Sequence, residues 1–177
     1  MSFLSIPSGT EQEVVKLCRS LVPGQQPVHV KYQPVQGVPV RECFPVVARY
    51  AATYGGAMRV GWNIVKLNGI WLEAEFHGVW ESPERSLIDL TPRDYPQPHY
   101  LFLPDPSRKY EGRQVESVFF PLTTHPAVIR HIQLAREFFH ETNKGELATA
   151  SSFLQTPRIA SLQEEMQQLL TQFPWQK

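Results

Sequence analysis

The sequence predicts an α+β fold: an antiparallel β-sheet packed against an N-terminal helix, with further helices at the C-terminus. Three observations carry this expectation. Apolar residues recur at helical spacing near both ends of the chain, alternating apolar runs group together in its centre, and an Asn68-Gly69 turn signal joins two of those runs. The 177 residues are expected to form one domain, with a core over about 28–122 and a helical extension over 125–177.

The elements follow in order. "SGTEQEVVKLCRSLVPG" is an amphipathic helix, with Ser8 or Thr10 available as a cap and Pro23-Gly24 as a stop. "VHVKYQPV" alternates as a strand and runs into a loop punctuated by proline and glycine. "ECFPVVARYAATYGG" is a second helix, ended by Gly55-Gly56. "MRVGWNIVKL" and "IWLEAEFHGVW" form a hairpin around a two-residue Asn-Gly turn, and "SLIDL" follows a Ser-Pro turn as the next antiparallel strand. "YLFLP" and "ESVFFPL" are further strands on either side of the polar stretch "DPSRKYEGRQ". "HPAVIRHIQLAREFFHETNKG" and "RIASLQEEMQQLLTQF" are the closing helices, separated by a linker rich in Ser, Thr and Ala.

Composition narrows the function classes. Lys and Arg together number 17, as do Asp and Glu, which speaks against nucleic acid or an anionic membrane as partner. No apolar run approaches the roughly 18 residues of a membrane-crossing helix, and the first residues lack a basic, apolar leader pattern. The two cysteines, Cys18 and Cys43, make no C-x-x-C pair, so free thiols in a reducing, cytoplasmic setting are expected. The histidines outside "HGVW" show no metal-ligand spacing, and neither metal nor cofactor is called for.

The residues able to do chemistry lie on the second helix and the central strands. Pro45 suits a first helical turn, which puts Cys43 at or just before the helix start. There the macrodipole and free amides favour an anion on sulfur and offer hydrogen bonds to an oxyanion. Cys43, Val47, Tyr50 and Tyr54 share a stripe expected to face the sheet, so Cys43 is either a small buried hydrophobe or a nucleophile. Cys18 sits among Val14, Leu17 and Leu21 and belongs to a core stripe. If Leu67 pairs with Ile70, Val60 lies opposite His77 and Trp62 opposite Glu75. If the next hairpin turns around Pro83, His77 lies opposite Asp89. Asp89 would then fix the tautomer of His77 and leave its other nitrogen as a base. Glu73 and Glu75 alternate onto the His77 face, as substitute orienters or an acidic rim. Gln36 offers an oxyanion-hole amide, and Trp62, Glu75 and Trp80 are candidates for a substrate groove, although the core is the better place for the two tryptophans.

The order of a helix-start cysteine in "ECF", a histidine in "HGVW" and an aspartate in "DLTP" resembles the transglutaminase-like branch of the papain-like Cys-His-Asp enzymes. The tryptophan is displaced by one position and the Gly-x-Cys-Trp motif is absent. The resemblance covers roughly residues 36–92 and implies a papain-like fold and acyl transfer at an amide or ester of a peptide or protein. Cys43 would be the nucleophile, His77 the proton shuttle and Asp89 its orienter, as in a peptidase, amidase, deamidase or transglutaminase. The segments "ECF", "EAEFH", "LIDLTP" and "LFLPDP" are also similar to a group of bacterial and phage proteins of undefined function. Two other classes compete. One is a non-catalytic module that holds a peptide between Trp62 and Trp80. The other is a docking protein using the stripe Ile159, Leu162, Met166, Leu169 and Phe173, unless that stripe packs on the domain itself.

Overall fold

The structure, a computed structural model, describes residues 4–40, 42–94, 96–144 and 155–175. Its elements are β1 (Leu4–Ser5), α1 (Gln12–Leu21), β2 (Val28–Tyr32), α2 (Cys43–Tyr54), β3 (Ala57–Leu67), β4 (Trp71–Glu81), β5 (Leu87–Asp89), β6 (His99–Pro104), β7 (Val118–Pro121), α3 (Pro126–Thr142) and α4 (Pro157–Leu170). The Ser/Thr/Ala-rich linker lies largely outside the described residues.

The expected open antiparallel sheet of papain-like type is corrected. Strands β3, β6, β2, β5 and β4 hydrogen-bond in turn, and β3 pairs with β4, so five strands close into a barrel. Strands β1 and β7 extend it on β3 and β4, and β2 runs parallel to β5, with Tyr32 beside Asp89. Closure leaves two faces. Val30, Val79, Tyr100 and Phe102 fill the interior, with Tyr32 and Leu87 packed on them. The outer face of Trp62, Ile64, Leu72, Ala74, Phe76, Leu101 and Leu103 is covered by Val14, Leu17 and Cys18 of α1 and by Cys43 and Phe44 of α2.

Both hairpins turn differently from the expectation. The first has a three-residue loop, residues 68–70, with Gly69 at φ 73° and the Ile70 N–H donating to Leu67 O at 2.9 Å. Leu67 therefore pairs with Trp71, which puts Gly61 opposite His77 and Phe76 opposite Trp62. Ile70 is fully buried against α3, and that burial favours the longer loop. In the second hairpin Ser82 N–H donates to Ser86 O at 2.9 Å and Arg85 takes φ 65°, so the turn centres on Glu84 and not Pro83.

The helices sit where the sequence places them, with local corrections. Glu11, not Ser8 or Thr10, precedes α1, and its carboxylate accepts the Ser8 N–H at 2.8 Å. On α2 the buried stripe is Cys43, Phe44, Val46 and Val47, while Tyr54 is 61% exposed. At its end Gly55 and Gly56 both have positive φ, and a Cβ on Gly56 would meet Glu81 O at 2.1 Å. On α4, Thr156 caps the Ile159 N–H at 3.2 Å. Its stripe packs on the domain: Ile159 and Leu162 are buried, and Leu169 joins the buried Phe173 against Ile70, Trp71 and Val128. Each such aliphatic burial stabilises by about 1.5–3 kcal/mol. Among the described residues no helix is long and apolar enough to cross a membrane.

Candidate active site

The barrel interior is polar where β4 leaves β5. Side chains alternate along a strand, so His77, Glu75 and Val79 of β4 point inward together with Gly61 and Asn63 of β3. Strand β5 pairs with β4 through Ile88–Trp80 and Leu87–Glu81. Continuing that register puts Asp89 opposite Val79 and makes His77 its diagonal neighbour. The expected direct opposition of His77 and Asp89 is thus corrected by two positions, a shift that preserves the face. The side chains still meet: His77 Nε2 lies 3.1 Å from Asp89 Oδ1, with His77 4% and Asp89 0% exposed.

Asp89 is the hub of this site. Its Oδ1 also accepts the Thr91 N–H at 3.0 Å, and its Oδ2 accepts Arg93 Nη2 at 2.8 Å and Nε at 3.2 Å. Arg93 is held in turn by the Tyr100 ring, 4.2 Å from its guanidinium carbon, and by Glu75 at 3.8 Å. Its Nη2 is 3.2 Å from His77 Nε2. The Arg93 guanidinium and the His77 ring share one carboxylate, and the buried guanidinium is stable in low dielectric only because it stays close to it.

The electrostatics follow from these contacts. Burial pushes the His77 pKa down, but the charge of Asp89, the Cys43 side chain and their hydrogen bonds more than offset it, so it stands above the ordinary 6.5. Burial alone would raise the Asp89 pKa. His77, Arg93 and the Thr91 amide reverse this and hold it well below the usual carboxylate range.

Cys43 reaches this pair from outside the barrel. It is the first residue of α2, 5% exposed, and its side chain is near enough to His77 to act on the charge of the ring. With His77 Nε2 given to Asp89, Nδ1 is the nitrogen left for sulfur. Glu42 precedes the helix and makes no side-chain cap among the described residues, so that carboxylate does not take up the amides of the first turn of α2. The close approach of α2 depends on Gly78, over which Phe44 packs so tightly that a Cβ would stand 3.2 Å from its ring. By contrast Cys18 lies in the α1 core, where burial pushes its thiol up to about 11. Both thiols are free.

The other sequence-derived candidates are placed as follows. Glu75 faces the barrel interior beside Arg93. Gln36 is exposed in the connection between β2 and α2. Trp62 is 2% exposed on the outer face, away from His77, and its Nε1 donates to Asp105 Oδ2 at 3.0 Å. Trp80, also on the outer face, donates to Gly55 O at 2.9 Å and meets Tyr50 edge-on at 4.9 Å. Among the described residues no three His, Cys, Asp or Glu side chains converge as metal ligands.

Sequence reasoning did not single out Thr91, Arg93, Tyr110 or Gln114 within their loops. The "DLT" spacing carried a signal for Thr91, since an aspartate that accepts the amide two residues on is a common turn. Arg93 lies in the aperiodic "TPRDYPQPHY", where no pattern indicates a direction. Tyr110 stacks on Phe44 at 3.7 Å and 6°, and Gln114 Nε2 donates to Phe76 O at 3.0 Å, so both come from the polar 105–114 stretch to the rim of the site. No protein-family model, curated protein or solved structure matches this chain, so the case for its function stands on this geometry.

Proposed function

We propose that the protein is a cysteine-dependent enzyme of acyl transfer at an amide or ester bond, with Cys43 as nucleophile, His77 as proton shuttle and Asp89 as orienter. The observation that carries this reading is the buried His77–Asp89 contact of 3.1 Å with the Cys43 thiol beside it at a helix start. The Cys43 proton passes to His77 and sulfur attacks the carbonyl carbon. A C–S bond forms as the carbonyl π pair moves to oxygen, where the Cys43 amide stabilises it. Collapse of the adduct breaks the bond to the leaving amine or alcohol, which takes its proton from His77. Water or an amine then attacks the thioester, giving its proton to His77 and returning the pair to sulfur. The raised pKa of His77 suits it to hold the proton between these steps. The free thiols fit a reducing compartment such as the cytoplasm.

The test is exposure to p-nitrophenyl acetate followed by peptide mapping. An acetyl group is expected on Cys43 and not on Cys18, and it is expected to be absent from Cys43→Ser and strongly reduced in His77→Ala. Equal acetylation of both thiols, or none, contradicts the reading. One observation favours a second reading, a non-catalytic peptide-binding module: the thiol and imidazole are 5% and 4% exposed. That reading expects peptide binding that survives Cys43→Ser and His77→Ala unchanged.

A further inference from the structure

Strand β4 is paired with β3 along its whole length, but its other edge is interrupted. Strand β7 covers only residues 71–74 there and β5 only residues 80 and 81, so residues 75–79 have no strand partner on that edge among the described residues. The direction of the backbone groups follows from parity. Val60 O accepts the Asp105 N–H at 3.0 Å, which turns the even positions of β3 toward β6 and the odd ones toward β4. Gly61 is opposite His77, so His77 hydrogen-bonds toward β3, while Phe76 and Gly78 turn their N–H and C=O to the interrupted edge. Ile70 O, taken by Leu122 at 2.8 Å, and Ser82 N–H, given to Ser86, keep the same parity at the two ends of β4.

Into this edge reaches the Gln114 side chain, whose amide donates to Phe76 O at 3.0 Å. A primary amide thus stands where a neighbouring strand would place a peptide N–H. It belongs to an exposed stretch, residues 106–114, whose Tyr110 stacks on Phe44 next to the covered Cys43. Resting on the acyl-transfer reading, we infer that the interrupted edge of β4 docks the acyl donor as an extended polypeptide, pairing with Phe76 and Gly78 in place of the Gln114 amide. The interrupted edge, covered at residues 76–79, is roughly 16 Å long at about 3.3 Å per residue, the length of an extended segment and far more than a small amide fills, so a docking strand takes the place of that cover. His77 is the central residue of that edge, so a strand paired there lies beside the proposed base and its nucleophile. Backbone pairing supplies affinity, as in other cases of strand addition.

Three alkylating probes test this on the intact protein, on Gln114→Ala and on His77→Ala: iodoacetamide, an acetylated tripeptidyl chloromethyl ketone, and the same peptide N-methylated at its backbone amides. The ketone forms a C–S bond to Cys43 as its C–Cl bond breaks and chloride leaves. Removing the competing Gln114 amide is expected to raise the rate ratio of peptide ketone to iodoacetamide at Cys43 by roughly three- to tenfold, the range of one net hydrogen bond. N-methylation is expected to abolish that gain. A ratio indifferent to Gln114 or to N-methylation, with iodoacetamide labelling of Cys43 still dependent on His77, overturns the docking edge alone. Loss of the His77 dependence overturns the acyl-transfer reading beneath it.

Discussion

Asp89 holds the site together, because one fully buried carboxylate accepts His77, the Thr91 amide and the fork of Arg93. Asp89→Asn keeps the shape but leaves Arg93 buried beside a neutral amide, and breaking a buried pair in this way costs about 3–5 kcal/mol. Urea unfolding of the parent and the variant at pH 7 measures it, and a difference below about 1 kcal/mol would mean that the pair contributes no more than a surface bridge. The pH dependence has a definite sign. The folded pKa of Asp89 is lowered, so its contribution is present above 3.8 and lost as pH falls through the folded value. That of His77 is raised, so its contribution is fully present below 6.5 and lost as pH rises through the folded value. The melting-temperature gap between the parent and His77→Gln should therefore be widest between about pH 4 and 6.5 and shrink on the alkaline side. The position of Cys43 at the start of α2 and of Asp89 on β5 was legible in the sequence because a helix-start proline and a strand's alternation are local signals. Arg93 was not, because its direction depends on Asp89 and Tyr100, which only the folded chain brings beside it.

At the scale of elements, the β3–β4 hairpin shows where local signals run out. Asn68-Gly69 suits either a two-residue or a three-residue loop, and the choice rests on Ile70 being buried under α3. The one-residue difference decides which face Trp62 takes: it joins the outer core and the barrel interior receives Gly61. A Cβ at Gly61 would stand 2.2 Å from Leu103 O and 2.7 Å from the Phe102 ring. Gly61→Ala should destabilise by about 1–3 kcal/mol, an overpacking cost visible as a lower denaturation midpoint, whereas Ala at the open Gly37 would act only through its backbone angle. In the C-terminal pair of helices, His131 stacks on Trp71 at 5.3 Å, and burial lowers its pKa despite the bond of Nδ1 to Met166 O. A buried neutral histidine withdraws stability as pH falls below 6.5, down to its folded value. The hydrogen-exchange protection factors of α4 should fall on acidification over that range in the parent and less so in His131→Gln.

For the molecule as a whole, the α+β content was legible, but the closed barrel was not. Closure depends on the parallel β2–β5 contact at Lys31–Ile88 and Tyr32–Asp89 and on β6 bridging β2 and β3, pairings between segments far apart in sequence. Strand β5 is only three residues long, too short for its alternation to name its partners. Yet closure is what buries Asp89 between β2 and β4 and turns His77 inward, so the His77–Asp89 contact is a consequence of the barrel. The central claim, that His77 activates the Cys43 thiol inside this framework, is tested most directly by the rate of iodoacetamide alkylation of each cysteine from pH 5 to 9, in the parent and in His77→Ala. The account expects Cys43 to react far faster than Cys18, with that advantage lost in His77→Ala. A Cys43 that stays inert, or whose pH profile is the same with and without His77, would contradict it.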